Sequence, residues 1–169
     1  MTDVSSYVRP TIDEPVFRDS DGRVIEYGNL WADSPPESAY SVTEHPERYA
    51  PLHTVADALI EHLSDTYDVE IEEGPEAAAE LVRPHRDTTR AVRIRPSDSD
   101  CATLTLIYTS YPGISMHAGL LHDFSFPSCG CDACDSTWQD EADRLERQVF
   151  AVVTGNYRAW RHFVAMRAS

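Results

Sequence analysis

Three of the four cysteines of this chain fall within six residues, in Cys129-Gly130-Cys131-Asp132-Ala133-Cys134-Asp135. Thiolates crowded in this way suit a soft metal ion, dithiol redox chemistry or a disulfide, each of which needs sulfurs within a few ångströms. Cys-x-Cys-x2-Cys offers three sulfurs to a single ion, and tetrahedral zinc takes four ligands with Zn–S near ~2.3 Å. The expected fourth ligand is His122, read as standing at the end of the strand that precedes the cysteines. Cys101, His117, Asp132 and Asp135 are the other candidates. His117 and His122 are five positions apart, so a regular strand points them to opposite faces and only one of them reaches the cluster. Zinc held by Cys129, Cys131, Cys134 and His122 would contribute on the order of 10 kcal/mol at neutral pH and tie the last strand to the helix that follows.

The same thiols admit other chemistry. Cys131-Asp132-Ala133-Cys134 has CxxC spacing just ahead of a helix N-terminus, a position that favours a thiolate. Asp132 and Asp135 oppose that thiolate, and no βαβ pattern precedes the motif as a thioredoxin-like fold requires. Three thiolates with water as fourth ligand would activate that water. The His-x-Glu and Pro-Cys-x2-Cys pattern of the zinc deaminases is not present. Small thiols packing as apolar residues are the plainest alternative.

A second polar group, His45-Pro46-Glu47-Arg48-Tyr49-Ala50-Pro51-Leu52-His53, gathers two imidazoles, a carboxylate and a guanidinium at the approach to a helix. An acid–base site could be built from His45, Glu47, Arg48 and His53, or the segment is a rigid, capped helix entrance. His53, Asp57 and Glu61 stand at i, i+4 and i+8, which describes a shared cation site or an ordinary solvated face. Asp19-Ser20-Asp21-Gly22 lacks the remaining ligands of an EF-hand. Ser110, Ser115 and Ser128 have no Gly-x-Ser-x-Gly context. Arg144, Arg147, Arg158 and Arg161 bring positive charge to the C-terminal helices, where pairing with the surplus acids accounts for them.

The elements that must position these residues follow from periodicity. Residues 1 to about 45 are rich in Pro, Ser and Asp and read as an extended arm packed on the domain, with one hairpin where Val16-Phe17-Arg18 and Arg23 to Tyr27 flank a turn closed by Gly22. Leu52, Val55, Ala56, Leu59, Ile60 and Leu63 recur at three and four, which makes an amphipathic helix from Pro51 to Asp65. Tyr67, Val69 and Ile71 alternate with acids, as in a half-buried strand. The Ala run from Pro75 to Val82 suggests a short helix. Three more strands are expected at about Thr89 to Arg95, Ala102 to Thr109 and Ile114 to Phe124. Trp138, Ala142, Leu145, Val149, Val152 and Val153 trace a second helix, with Ser136 and Gln139 in capping-box spacing and Gly155 as its stop. Tyr157 to Ala168 reads as a third. Short links between neighbouring strands give an antiparallel meander, and the whole an α+β fold with helices on one face of the sheet. Residues 46–169 then form a single domain.

Charge and composition exclude several functions. The 169 residues carry 29 acidic against 14 basic side chains, a formal charge of -15. Such a surface repels phosphate backbones, so no nucleic acid is expected as a partner, nor an anionic membrane surface. No apolar run approaches the length that crosses a bilayer. Every basic residue is Arg, so a Schiff base, a pyridoxal anchor and a phosphate-loop Lys are all ruled out. The N-terminus shows neither the cationic nor the apolar region of a signal peptide, which points to a cytoplasmic protein whose thiols stay reduced.

Ser41-Val42-Thr43-Glu44-His45-Pro46-Glu47-Arg48-Tyr49-Ala50-Pro51-Leu52-His53, followed by Phe126-Pro127-Ser128-Cys129-Gly130-Cys131-Asp132-Ala133-Cys134-Asp135, resembles an uncharacterised domain-of-unknown-function family of GC-rich Gram-positive, actinobacterial proteins. The likeness runs from about Tyr40 onward. It implies a bacterial cytosolic setting and transfers no catalytic residue. The reading that results is a small binding or regulatory module with a Cys-rich structural zinc site. A metal- or thiol-dependent enzyme using the same cluster is the alternative, and an acidic partner-binding or toxin-neutralising protein is the next.

Overall fold

The computed structural model describes residues 6–79, 81, 86–119 and 122–155. Five strands form one antiparallel sheet in sequence order: β1 Val69–Glu73, β2 Thr88–Pro96, β3 Leu104–Thr109, β4 Ile114–Ala118 and β5 His122–Phe126. Two helices, α1 Pro51–Thr66 and α2 Trp138–Val153, complete the α+β architecture.

Alternation within the strands decides which face the helices cover. Val92 and Ile94 of β2, Leu104, Leu106 and Tyr108 of β3, and Ile114 and Met116 of β4 share a core with Leu52, Val55, Leu59 and Leu63 of α1 and Leu145 and Val149 of α2. Each fully buried leucine in that core contributes roughly 2 kcal/mol relative to exposure. Tyr7 and Ile12 of the arm pack against the same core. Arg9 donates from its guanidinium to Glu146 of α2 at 2.7 and 2.8 Å.

The opposite face carries a smaller apolar cluster, Ala77, Leu81, Ala91 and Ile107. Beside it the register aligns Glu72, Arg93, Thr105, His117 and Asp123 in one row across all five strands. Arg93 pairs with Glu72 at 3.0 Å and His117 with Asp123 at 2.5 Å. The Thr105 hydroxyl between them is buried and makes no hydrogen bond among the described residues.

Several expectations are corrected. The single strand expected from Ile114 to Phe124 is two strands, β4 and β5, because Gly119 adopts a left-handed φ of 65° that turns the chain back. Among the described residues of the segment expected to be a short helix, Pro75–Ala78 forms a 3₁₀ turn. The cap of α2 is Thr137, whose hydroxyl accepts the Asp140 N–H at 3.1 Å, not Ser136 with Gln139. Gly155 does follow the last turn of α2 with φ 72°, its N–H on the Val152 carbonyl. The arm hairpin is present as a bridge between Arg18 and Val24, closed by Gly22 at φ 81°. The expected third helix, with Arg158 and Arg161, lies outside the described residues.

Candidate metal centre

β5 ends at Phe126, and the chain leaves through a cis Phe126–Pro127 bond into the cysteine loop, which closes in a 3₁₀ turn Asp132–Cys134 before α2. A turn this tight folds positions i, i+2 and i+5 back on one another. Cys129 Sγ lies 3.3 Å from Cys131 Sγ, and Cys131 Sγ 3.4 Å from Cys134 Sγ. All three sulfurs fall within 4.8 Å of one another. No disulfide joins them. Three corners of a Zn–S tetrahedron stand about 3.8 Å apart, so this spacing fits one soft ion with little movement. Among the described residues no other group of three or more His, Cys, Asp or Glu converges in this way.

The loop is clamped from below by Arg48. Its guanidinium is buried, donating to Asp132 Oδ1 at 2.9 Å, to the Gly130 carbonyl at 3.2 Å and to the Tyr49 hydroxyl at 3.0 Å. It also lies 4.0 Å over the Tyr27 ring. The Tyr49 hydroxyl in turn reaches Ser136, fixing the far side of the loop. The arm supplies the rest of the grip. Asp132 Oδ2 accepts the Glu44 N–H at 3.2 Å, and the Asp132 N–H donates to the Val42 carbonyl at 2.7 Å. Asp135, in a left-handed conformation with φ 47°, accepts the Gly28 and Leu30 N–H groups at 2.7 and 2.8 Å. Above the loop, the Tyr111 ring packs so closely on Gly130 that a Cβ there would meet its hydroxyl at 1.7 Å.

Hydrogen bonding within the cluster separates the thiols electrostatically. The Cys129 sulfur, with help from Cys134 and the backbone N–H groups of Cys134 and Ser41, holds the Cys131 thiol down at about 7. Its bonds to Cys129 and Cys131 push the Cys134 thiol up to about 12. Both effects belong to a group of sulfurs sharing protons, the arrangement a cation replaces when it binds.

The structure brings Cys129, Cys131 and Cys134 together and leaves the other candidates elsewhere. His122 does not end the strand before the loop but begins β5, opposite Ala118, with its ring stacked on Phe124 at 6.4 Å. From there β5 runs about 13 Å, at about 3.3 Å per residue, before the chain reaches the loop. His117 is buried on the far face with Asp123, so the two histidines do lie on opposite faces. Cys101 is exposed in the β2–β3 connection, at the end of the sheet where β3 begins. Asp132 and Asp135 are in the loop, yet every one of their carboxylate oxygens already accepts a hydrogen bond.

The second polar group does not form one site. His45 stands at the start of the 3₁₀ turn Pro46–Tyr49, its ring bonded to Glu47 at 3.0 Å and packed on Phe17. His53 bonds the Gly113 carbonyl at 3.0 Å, and Arg48 is the loop clamp. The clamp is the residue whose function sequence reasoning missed. Its only signal is an Arg in a polar helix approach, paired across 84 positions with an Asp between cysteines.

Fold and loop together define an α+β protein with a three-cysteine cluster able to hold a metal ion. A family model covers residues 13–168, and the chain belongs to that family, the family of unknown function DUF6226. No curated protein and no solved structure matches the chain. No helix among the described residues is long and apolar enough to cross a membrane.

Proposed function

We propose that this protein is a small cytosolic binding or regulatory module in which Cys129, Cys131 and Cys134 hold one zinc ion. The observation that carries the reading is the convergence of three sulfurs within 4.8 Å in a loop gripped by a buried arginine. Soft thiolates favour zinc over the hard cations. Two backbone N–H groups aimed at the Cys131 sulfur support it in its ionised form, the form a metal requires.

The metal's role in this reading is to lock the arm to the domain. Among the described residues, residues 28 to 44 hydrogen-bond to the loop at Asp132, Asp135, Gly130 and Cys131. A bound ion fixes the shape of the loop, and the loop fixes the arm, so residues 1–45 and 46–169 would behave as one folding unit. The surplus of acidic side chains makes a protein or small molecule the suitable partner and nucleic acid an unsuitable one.

The test is elemental mass spectrometry on full-length protein purified without chelator or affinity metal, with a thiol count before and after denaturation. About one zinc per chain, with three thiols protected until denaturation, is the expected result. Metal-free protein whose thiols react freely and which binds no added zinc overturns the proposal.

A further inference from the structure

We propose that the cavity at the end of the sheet where α2 stops is a docking site for residues 156–169 of the same chain. The inference is independent of the metal reading and stands on shape, charge and connectivity.

The cavity holds about 590 Å³, within the span of ordinary ligand sites. Leu63 of α1, Ile94 of β2, Leu104 of β3 and Val152 of α2 line it and also belong to the core between helices and sheet. The core is therefore open at this end, and apolar surface left open is stabilised by whatever covers it. Three carboxylates, Asp68, Asp98 and Asp100, line the same cavity, and no basic side chain does among the described residues. The occupant that suits such a wall brings apolar groups and positive charge together.

Residues 156–169 have that composition. Tyr157, Trp160, Phe163 and Val164 are spaced at three and four, and Arg158, Arg161 and Arg167 stand among them without a single acid. The chain enters this stretch from the cavity itself. Thr154 and Gly155 line it, and Gly155, at φ 72°, turns the chain off the end of α2 with its N–H on the Val152 carbonyl. A segment tethered at its own site acts at an effective concentration on the order of millimolar, which a free ligand rarely matches. A second copy must instead overcome the repulsion between two chains of -15 each. A neutral apolar molecule leaves the three carboxylates without a counter-charge.

Photo-cross-linking reads the occupant directly. Full-length protein with p-benzoylphenylalanine at position 163, made as a mixture of unlabelled and nitrogen-15 chains, is irradiated and the link is mapped by mass spectrometry. Links within one chain to the peptides that carry Leu63, Tyr67, Ile94 or Val152 are expected. Links to other parts of the chain, links between chains, which make a second copy the occupant, or no link at all overturn the proposal. Nile red then reports whether the cavity is filled. Trp160→Asp with Phe163→Asp should raise its fluorescence several-fold over the parent, and Arg158→Glu with Arg161→Glu should do the same, in protein that still unfolds cooperatively in urea. Equal dye uptake by parent and variants overturns the proposal, and equally strong uptake assigns the cavity to a foreign apolar ligand. If a variant fails to fold, the cross-link on the otherwise unchanged chain decides.

Discussion

The two ends of the sheet hold all four cysteines and differ in what surrounds them. At one end Cys101 sits in the short β2–β3 connection, beside a cavity of about 590 Å³ walled by Leu63, Tyr67, Ile94 and Val152. At the other, Cys129, Cys131 and Cys134 sit in a longer loop held by Arg48, Tyr111 and four backbone donors or acceptors of the arm. Both ends expose sulfur to solvent. Only one is gripped by hydrogen bonds from Arg48 and the arm, more than eighty residues away in the sequence. A site is made here by long-range clamping of a local motif, and an exposed thiol without the clamp remains a surface residue.

The sharpest way to break this comparison is to remove one sulfur from each end. Cys131→Ser deletes the thiol that contacts both others, and zinc affinity should fall by more than about a hundredfold, since the binding free energy of such sites is on the order of 10 kcal/mol. Cys101→Ser and His122→Ala should leave affinity within about twofold, because both lie at the other end of the sheet. Competition against a chromophoric chelator measures all three. Equal losses in His122→Ala and Cys131→Ser would restore His122 as a ligand.

The clamp comes next. Arg48→Met keeps much of the side-chain volume but leaves the Asp132 carboxylate, 13% exposed, without its cation. Breaking a buried pair from one side costs about 3 to 5 kcal/mol, and the loss should appear in urea denaturation of the metal-free protein. Zinc affinity should drop by about 10- to 100-fold as well, since a group that orients ligands is removed. Full stability with weakened metal binding would show that the clamp serves the ion alone.

What the sequence made legible divides along the same line. The helices were readable because their apolar residues repeat locally, and α1 and α2 fall within a residue or two of the reading. The meander was readable from its short links. The turn at Gly119 was not, because no Pro and no run of turn-forming residues surrounds it, and one glycine in a strand is weak punctuation. That miss reversed β5 and carried His122 from the near end of the sheet to the far end. The three thiols were legible because their spacing is local. Arg48, Asp135 and Tyr111 were not, because their contacts with the loop or arm span 82, 107 and 19 positions.

Gly130 tests how closely the loop must fit its cover. Gly130→Ala places a Cβ 1.7 Å from the Tyr111 hydroxyl, which forces the ring or the loop to move and should cost about 1 to 3 kcal/mol. Tyr111→Ala removes the obstruction. In the double variant the glycine substitution should become nearly silent, giving a coupling energy of about the same size in a thermodynamic cycle. Additive losses would mean that Gly130 is required for its backbone and not for the space above it.

The smallest effect belongs to Glu141, which joins α2 to the start of the cysteine loop. It is 3% exposed, pairs with Arg144 at 3.0 Å, and burial raises its carboxyl above the ordinary 4.5. A carboxyl raised on folding adds stability that is complete below its unfolded value and is lost as pH climbs through the folded one. Glu141→Gln keeps the hydrogen-bonding shape and removes the titration. Its stability should differ from the parent by under about 1 kcal/mol at pH 7, and its stability curve should lose one component of decline above pH 4.5. If Glu141→Gln instead destabilises at neutral pH by more than that, the charge on Glu141 is required by Arg144, and the loop is anchored to α2 by an ion pair in the way that it is anchored to the arm by Arg48 and Asp132.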